Sequence, residues 1–210
     1  KTTHKFGIRL PKTVEEALEI DKATNTDLWR KAVNKEMAKV KIAWKTHEGF
    51  TPQQAREGKV PDLIGFQEIG CHIVFDVKMD FTRKARFVAG GHTTTAPSSM
   101  TYSSVMSRDS IRLAFLIAVL NDLDIMSCDL ENAYLNAPCR EKIWFEGGIE
   151  CGEDHGKVCI VVRSLYGLKS AGAAFRSSLA QILQDIGYTS TKADPDVWTK
   201  GSKRRWIRIL

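Results

Sequence analysis

The sequence predicts a mixed α+β fold. Apolar residues recur every three or four positions over residues 29–44 and again over residues 175–186, which indicates two amphipathic helices. Between them, residues 68–89 and 142–163 each contain two apolar, strand-like runs separated by turn-forming residues, the pattern of a β-hairpin. Helices and hairpins in separate stretches of the chain are typical of α+β proteins.

The N-terminal segment is polar and irregular. We expect residues 1–25 to form a linker or loose arm, with at most a brief helix after Val14. Asn25 or Thr26 is then expected to cap the first amphipathic helix, which should run for about 18 residues and end near Trp44.

The central and C-terminal segments carry further apolar runs. Residues 108–120 are apolar almost all round, which predicts a buried helix. Residues 124–129 are expected to form a core strand that ends in a carboxylate. Gly187 should stop the last amphipathic helix, and Asp194 and Asp196 are interpreted as turn formers before a final strand.

The chain has 210 residues and a net charge of +6, concentrated toward a basic tail over residues 201–210 that contains Lys203, Arg204, Arg205 and Arg208. This charge permits a nucleic-acid partner without requiring one. No run of 18 apolar residues and no signal peptide is found, so we expect an intracellular protein without a membrane partner.

The five cysteines are odd in number and include no Cys-x-x-Cys pair, which argues against a disulfide framework and a common zinc site. A zinc site built from Cys139, Cys151, His155 and Cys159 stays open as an alternative. It would require a helix through Gly152, which disfavours it.

The most informative string is Cys128-Asp-Leu-Glu-Asn-Ala-Tyr. A carboxylate at a strand end can bind Mg²⁺, although such an Asp is more often a turn or cap residue. The string resembles motif A of reverse transcriptases, which implies that Asp129 is a catalytic metal ligand and that Tyr134 excludes ribonucleotides. By the same resemblance the Leu130 carbonyl contacts the metal, and the nucleotide triphosphate lies over the backbone of Leu130, Glu131, Asn132 and Ala133.

A second string, Leu165-Tyr-Gly-Leu-Lys, resembles motif B of the copia-type reverse transcriptases. The resemblance implies that Gly167 lets the backbone approach the nascent base pair, with Tyr166 and Lys169 beside template or nucleotide. A helix entry with a surface lysine is the plainer interpretation.

A third string, Val74-Phe-Asp-Val-Lys followed by Arg83-Lys-Ala-Arg-Phe-Val-Ala-Gly-Gly, is similar to the fingers hairpin of the same family. Lys78, Lys84 and Arg86 are therefore candidates for binding the incoming triphosphate, because preorganised positive charge stabilises phosphoryl transfer. Asp76 stands at a commonly basic position and should weaken the local field. A solvated basic hairpin is the alternative.

The resemblance covers roughly residues 27–200 and implies a right-hand polymerase of reverse-transcriptase type. Its divisions would be a linker over 1–25, fingers over 26–95, palm with motif A over 96–138, a fingers return over 139–165, and a partial palm with motif B and a basic non-family tail over 166–210. The implied cofactor is Mg²⁺. The implied partners are an RNA template, a DNA primer and deoxynucleoside triphosphates, in a cytoplasmic particle or the nucleus.

In this family a Tyr/Phe-x-Asp-Asp hairpin completes the site, and the sequence contains no adjacent pair of aspartates. We therefore expect a chain truncated before that hairpin, without the C-terminal polymerase and RNase H regions, with an exposed apolar edge and no polymerase activity alone. Two alternatives stay open: a degenerate nucleic-acid-binding remnant without catalysis, and an inert mobile-element relic.

Overall fold

A computed structural model describes residues 3–95 and 101–200, together with the backbone of residues 206–209. The helices are α1 (Val14–Ala23), α2 (Leu28–Val40), α3 (Pro52–Arg56), α4 (Arg108–Leu120) and α5 (Ala171–Asp185). The strands are β1 (His4–Lys5), β2 (Ile8–Arg9), β3 (Trp44–His47), β4 (Gln67–Glu68), β5 (Cys71–Val77), β6 (Arg83–Ala89), β7 (Ile143–Glu146), β8 (Val158–Val161), β9 (Thr189–Ser190), β10 (Val197–Lys200) and β11 (Trp206–Ile209). The α+β class is thus confirmed.

The strands form four sheets. Two are antiparallel hairpins, β1–β2 and β5–β6, and the second pairs seven residues on each side from Cys71 opposite Ala89 to Val77 opposite Arg83. A four-stranded sheet has the order β3-β8-β7-β4, with β4 parallel to β7 and the other pairs antiparallel. A three-stranded antiparallel sheet has the order β11-β10-β9. Both hairpins predicted from the alternating pattern, β5–β6 and β7–β8, are confirmed.

A cluster of aromatic rings forms the centre of the core. The rings of Trp44 on β3, Phe87 on β6 and Phe145 on β7 lie 5.4–5.7 Å apart between centroids, and both phenylalanines are fully buried. Helix α2 covers the hairpin, with Trp29 edge-on to Phe75 at 5.5 Å. Rings of this size supply much of the hydrophobic free energy of a core, about 1.5–3 kcal/mol for each fully buried side chain.

Helix α2 confirms the periodicity of residues 29–40 but not the predicted length or cap. The helix ends at Val40, and Trp44 instead begins β3. Asp27 occupies the N-cap position, but its side chain accepts no hydrogen bond from the amides of the first turn. The buried carboxylate of Asp21 on α1 accepts hydrogen bonds from the amides of Trp29 and Arg30 at 3.2 and 2.8 Å. An acid from the preceding helix thus provides acceptors for two free amides of the first turn. Its negative charge also interacts favourably with the positive end of the helix dipole.

The brief helix expected after Val14 is present within residues 1–25 as α1, Val14–Ala23. Thr13 caps α1 by accepting a hydrogen bond from the amide of Glu16, and Val14 and Ala17 are buried in the core. These small apolar residues, together with the Asp21 contact, fasten the helix to α2.

Helix α4 has the predicted bounds but not the predicted burial. Leu113, Phe115 and Val119 are 58%, 51% and 75% exposed, and Ala118 is its one buried residue. An apolar sequence favours burial only where another element covers it, and within the described residues no element covers most of this helix.

Residues 123–130 do not form the predicted core strand. They have no regular secondary structure, and Ile125 and Met126 are 59% and 81% exposed. A strand requires a neighbour for its backbone hydrogen bonds, and no described strand pairs with this segment.

The predicted end of the chain's last helix is confirmed: α5 stops before Gly187, which adopts a φ of +89°. Asp194 and Asp196 form turns as expected, since the Asp194 carboxylate accepts the amide of Asp196 at 3.0 Å. Asp194 also accepts the amide of Ser107 and the hydroxyl of Ser110, at the N-terminus of α4. The basic residues Lys203, Arg204 and Arg205 lie outside the described residues.

The turn between β7 and β8 is anchored by Asp154, which is buried. Its carboxylate accepts hydrogen bonds from Lys41 Nζ at 2.5 Å, Trp44 Nε1 at 3.0 Å and Thr46 Oγ1 at 2.9 Å. Burial alone would raise the pKa of Asp154, but these three donors outweigh it and lower the pKa to about 2. None of the helices in the described part of the chain is long and apolar enough for a membrane span.

Replacing Asp21 by alanine removes the acceptor for two first-turn amides and for the Thr26 hydroxyl. We expect Asp21→Ala to lower the free energy of unfolding by about 2 kcal/mol, measured by urea denaturation followed by tryptophan fluorescence. Asp27→Ala is the matched control, because Asp27 makes only an exposed ion pair with Lys31. It should cost about 0.5 kcal/mol or less, and equal losses in both variants would contradict the capping role of Asp21.

The lowered pKa of Asp154 predicts a pH-dependent contribution to stability. Because the folded-state value of about 2 lies below the ordinary 3.8, the contribution is present above about pH 4 and is lost as the pH falls through 2. Between about pH 5 and about pH 2.5, the denaturation midpoint of Asp154→Asn should therefore fall less than that of the unmodified chain. If the denaturation midpoints of the two proteins fell equally with pH, Asp154 would not contribute to stability in this way.

Candidate functional site

The hairpin β5–β6 has one buried and one outward face because its side chains alternate. The buried face carries Ile73, Phe75, Val77, Ala85, Phe87 and Ala89. The outward face carries Val74 opposite Arg86 and Asp76 opposite Lys84. We call these four outward residues the cationic face. The strand pattern thus places two of the predicted triphosphate-binding residues, Lys84 and Arg86, side by side.

The third predicted cation, Lys78, begins the turn of this hairpin. Its amide donates to the Thr82 carbonyl at 3.0 Å, and Phe81 adopts a φ of +61° to close the turn. The Lys78 side chain is exposed beyond the end of β5. It therefore lies at the tip of the hairpin and not on the cationic face.

The segment around Gly167 packs backbone to backbone against the end of β6. The Ala89 amide donates to the Tyr166 carbonyl at 2.8 Å. Gly167 has a φ of +95°, and a Cβ built there would lie 2.1 Å from the Ala89 carbonyl oxygen. A Cβ on Gly91 would lie 2.3 Å from the Gly167 carbonyl oxygen. Only glycine fits at these two positions. This contact lies within the protein, and the approach of Gly167 to a nascent base pair stays a prediction.

Three side chains from distant parts of the sequence meet beside this junction. The Arg86 guanidinium carbon lies 4.9 Å from the ring centroid of Tyr166. The Tyr166 ring lies 4.8 Å from that of Tyr134, edge to face. The Phe175 ring on α5 also meets the Tyr134 ring edge to face, with centroids 6.2 Å apart. We call Tyr134, Tyr166 and Phe175 the ring cluster. It connects the cationic face to the segments that carry the other two motifs.

Tyr134 is positioned by a short 3₁₀ turn, Ala133–Asn136. Asn132 precedes it with a φ of +53° and accepts the Leu135 amide at 2.8 Å, while the buried Leu135 anchors the turn in the core. Upstream, Glu131 approaches Lys39 at 3.8 Å, and Leu130 is exposed. The turn therefore fixes Tyr134 but leaves the residues before it on the surface.

Asp129 lies in the exposed, irregular segment and not at the end of a core strand. No hydrogen bond or ion pair to another described residue holds its carboxylate. Within the described residues, no group of three or more His, Cys, Asp or Glu side chains is arranged to hold a metal ion. The residues present therefore do not fit a magnesium centre: Asp129 offers one carboxylate where two-metal chemistry needs several.

The other possible metal site is also without support. Residues 149–154 form 3₁₀ turns kinked at Gly152, so no helix aligns Cys151, His155 and Cys159. Burial raises the pKa of Cys139 to about 11 and those of Cys151 and Cys159 to about 12. These thiols are therefore protonated at physiological pH in the metal-free chain.

Lys169 is engaged inside the protein. Its ammonium group donates to the Thr94 carbonyl, and the next residue, Ser170, donates its amide and hydroxyl to the buried Glu141 carboxylate at 2.9 and 2.6 Å. These contacts fix the start of α5. Sequence reasoning missed Glu141, because it stands in an ordinary polar stretch. It also treated Phe175 as helix packing alone, although its position on the apolar face of α5 was the available signal.

Comparisons with known proteins agree with the motifs. The model of the family described as "Reverse transcriptase (RNA-dependent DNA polymerase)" matches residues 60–209. The match continues past residue 200, so the expectation of a non-family tail is wrong. No solved structure matches the chain.

Two curated relatives are polyproteins of transposons. The "Retrovirus-related Pol polyprotein from transposon TNT 1-94" of Nicotiana tabacum is 29% identical over 156 residues, 70% of this chain and 12% of the polyprotein. The "Transposon Ty1-DR4 Gag-Pol polyprotein" of Saccharomyces cerevisiae is 28% identical over 171 residues, 80% of this chain and 10% of the polyprotein. The chain thus spans about a tenth of the length of these relatives. Together with motifs that meet at one junction, the family match shows that this chain belongs to the reverse transcriptases of copia-type retrotransposons.

Proposed function

We propose that this chain is the nucleotide-binding portion of an RNA-directed DNA polymerase within a longer Pol-type polyprotein. The observation that carries the proposal is the meeting of Arg86, Tyr134 and Tyr166. Each belongs to a different motif, and the three are brought together only by the fold. In this proposal residues 26–95 and 139–165 act as fingers, and residues 96–138 and 166–210 act as part of the palm.

The cationic face would bind phosphate. Arg86 is exposed and Lys84 is half-buried beside it, so both can reach an anion without leaving the strand. The Arg86 guanidinium carbon lies 4.9 Å from the Tyr166 ring centroid, and this cation–π contact would help to orient the guanidinium donors toward phosphate oxygens. Lys78 at the hairpin tip would reach the outer end of a triphosphate.

The ring cluster would lie against the sugar and base of the incoming nucleotide. The Tyr134 ring contacts both Tyr166 and Phe175, at 4.8 and 6.2 Å between centroids, so it could act as a fixed wall beside the sugar. We propose that this wall excludes a 2′-hydroxyl. Lys169 stays a candidate for contact with template or nucleotide, and its bond to the Thr94 carbonyl would also help to position the neighbouring Tyr166–Gly167 segment.

Asp129 and the backbone of Leu130, Glu131, Asn132 and Ala133 remain candidates for contacts to the triphosphate and to Mg²⁺. The single carboxylate of Asp129 does not complete a metal site by itself, so in this proposal it would act only together with carboxylates of a longer chain. We propose that the 210 residues alone bind an RNA template, a DNA primer and deoxynucleoside triphosphates weakly and do not polymerise.

A second candidate function follows from the same surface: binding of nucleic acid without catalysis. The specific observation in its favour is a cationic face on a firmly packed hairpin, combined with the absence of a carboxylate cluster among the described residues. Its chemistry is attraction to phosphates, which is independent of base sequence and weakens with salt.

The phosphate-binding role predicts salt-sensitive binding of a fluorescein-labelled RNA–DNA hybrid, measured by anisotropy across a salt series. Replacing Lys84 and Arg86 together by alanine should weaken binding about 10-fold and reduce the logarithmic salt slope by roughly two. The control replaces Lys31 and Lys59, exposed lysines in ion pairs elsewhere, and removes the same charge. Binding that both pairs weaken equally would show a nonspecific charge effect and refute the assigned site.

Because Asp129 offers a single carboxylate, we expect the 210 residues not to extend a primer with Mg²⁺ and all four deoxynucleoside triphosphates. An active reverse transcriptase run in parallel should extend the same primer. Extension that Asp129→Asn abolishes would place a working metal site in this chain and refute the proposed inactivity. In a longer Pol-type chain that does extend primers, Asp129→Asn should lower the rate at least 100-fold. Full activity of that variant would refute the assignment of Asp129.

A further inference from the structure

The N-terminal hairpin β1–β2 lies against the cationic hairpin β5–β6. Lys5 Nζ contacts Asp76 Oδ1 at 2.6 Å, and the Phe6 ring meets the Phe81 ring edge-on at 6.1 Å. Phe6 and Gly7 have φ values of +52° and +75°, the two positive values that a tight two-residue hairpin turn requires. The tips of the two hairpins therefore touch.

The N-terminal hairpin is itself held in place by three contacts. Ile8 and Leu10 pack against the core, and Arg9 forms an ion pair with Glu16 on α1 at 2.6 Å. The Leu10 amide donates to the Thr3 carbonyl at 2.9 Å and closes the base of the hairpin. Lys5 is thus presented to Asp76 by a structured element.

Asp76 is the acidic residue of the cationic face, and its directly opposite neighbour on β6 is Lys84. An acid and a base opposite each other across two strands normally attract and neutralise each other. No ion pair between Lys84 and Asp76 is present in the described part of the chain; the ion pair of this carboxylate is with Lys5. The hydrogen bond from Lys5 is the largest cause of the lowered pKa of Asp76, and the charge of Lys84 contributes less.

We infer that Lys5 is a positioning residue of the cationic face: by binding Asp76, it leaves Lys84 free for the phosphate oxygens of a nucleoside triphosphate or of a nucleic-acid strand. The inference rests on the proposed phosphate-binding role of the hairpin. It adds a residue outside the matched family region and explains how the hairpin tolerates an acid among its cations.

A double-mutant cycle tests this compensation. Lys5→Ala, Asp76→Asn and the double variant are compared with the unmodified chain for binding of a labelled RNA–DNA hybrid and, separately, of inorganic triphosphate. Lys5→Ala should weaken binding about two- to five-fold, because Asp76 then turns to Lys84. In the Asp76→Asn background, the same Lys5→Ala change should have no effect. Coupling between the Lys5→Ala and Asp76→Asn changes supports the inference, whether it is seen in the binding of triphosphate, of the hybrid or of both. The ligand that shows it is the phosphate source that the face binds.

Two results would overturn it. If Lys5→Ala weakens binding equally in both backgrounds, Lys5 contacts phosphate directly; if it changes nothing, Asp76 needs no compensation. Lys12→Ala removes the same charge from an exposed residue next to this hairpin and leaves the Lys5–Asp76 pair, and it should bind like the unmodified chain. A loss in Lys12→Ala as large as in Lys5→Ala would assign the effect to the net charge of this region. If Lys84→Ala with Arg86→Ala weakens binding while the cycle shows no coupling, the inference alone fails; if neither affects binding, the proposed function fails first.

Discussion

The contact among the rings of Trp44, Phe87 and Phe145 is the constraint on which the rest of the structure depends. It joins the hairpin β5–β6 to the four-stranded sheet, because Phe87 lies on β6 whereas Trp44 and Phe145 lie on β3 and β7. Because Phe87 points inward, its neighbours Arg86 and Val88 must point outward. The direction of the cationic face is thus a consequence of core packing, and helix α2 reinforces it through the Glu36 carboxylate, which accepts the Phe87 amide at 3.0 Å.

Elements whose signal is local could be predicted from the sequence. The alternation in β5–β6 and the helical spacing in α5 reflect which side chains face the core over a few residues. The exposure of α4 and the lack of a described strand beside residues 124–129 could not be predicted, because burial and strand pairing depend on a covering element elsewhere in the chain. An apolar run shows that burial of the element would stabilise the fold. It does not show that another element is present to bury it.

The candidate site divides in the same way. The motif strings predicted Arg86, Tyr134 and Tyr166, since their residue types and spacing are distinctive. The contacts that hold them were not predictable: Lys5 to Asp76, Lys169 to Thr94 and Ser170 to Glu141 join residues 71, 75 and 29 positions apart. Such pairs are determined by tertiary structure, and each side chain alone resembles an ordinary surface residue.

The junction of Gly167 with Ala89 and Gly91 has a mechanical consequence. Where two elements touch through side chains, rotamer changes can absorb a displacement of one against the other. Here backbone meets backbone: the Ala89 amide donates to the Tyr166 carbonyl, and a Cβ on Gly167 would lie 2.1 Å from the Ala89 carbonyl oxygen. A bend of the hairpin at Ala89 should therefore displace the backbone of Tyr166 as well. The hairpin and the Tyr166 ring are expected to move together.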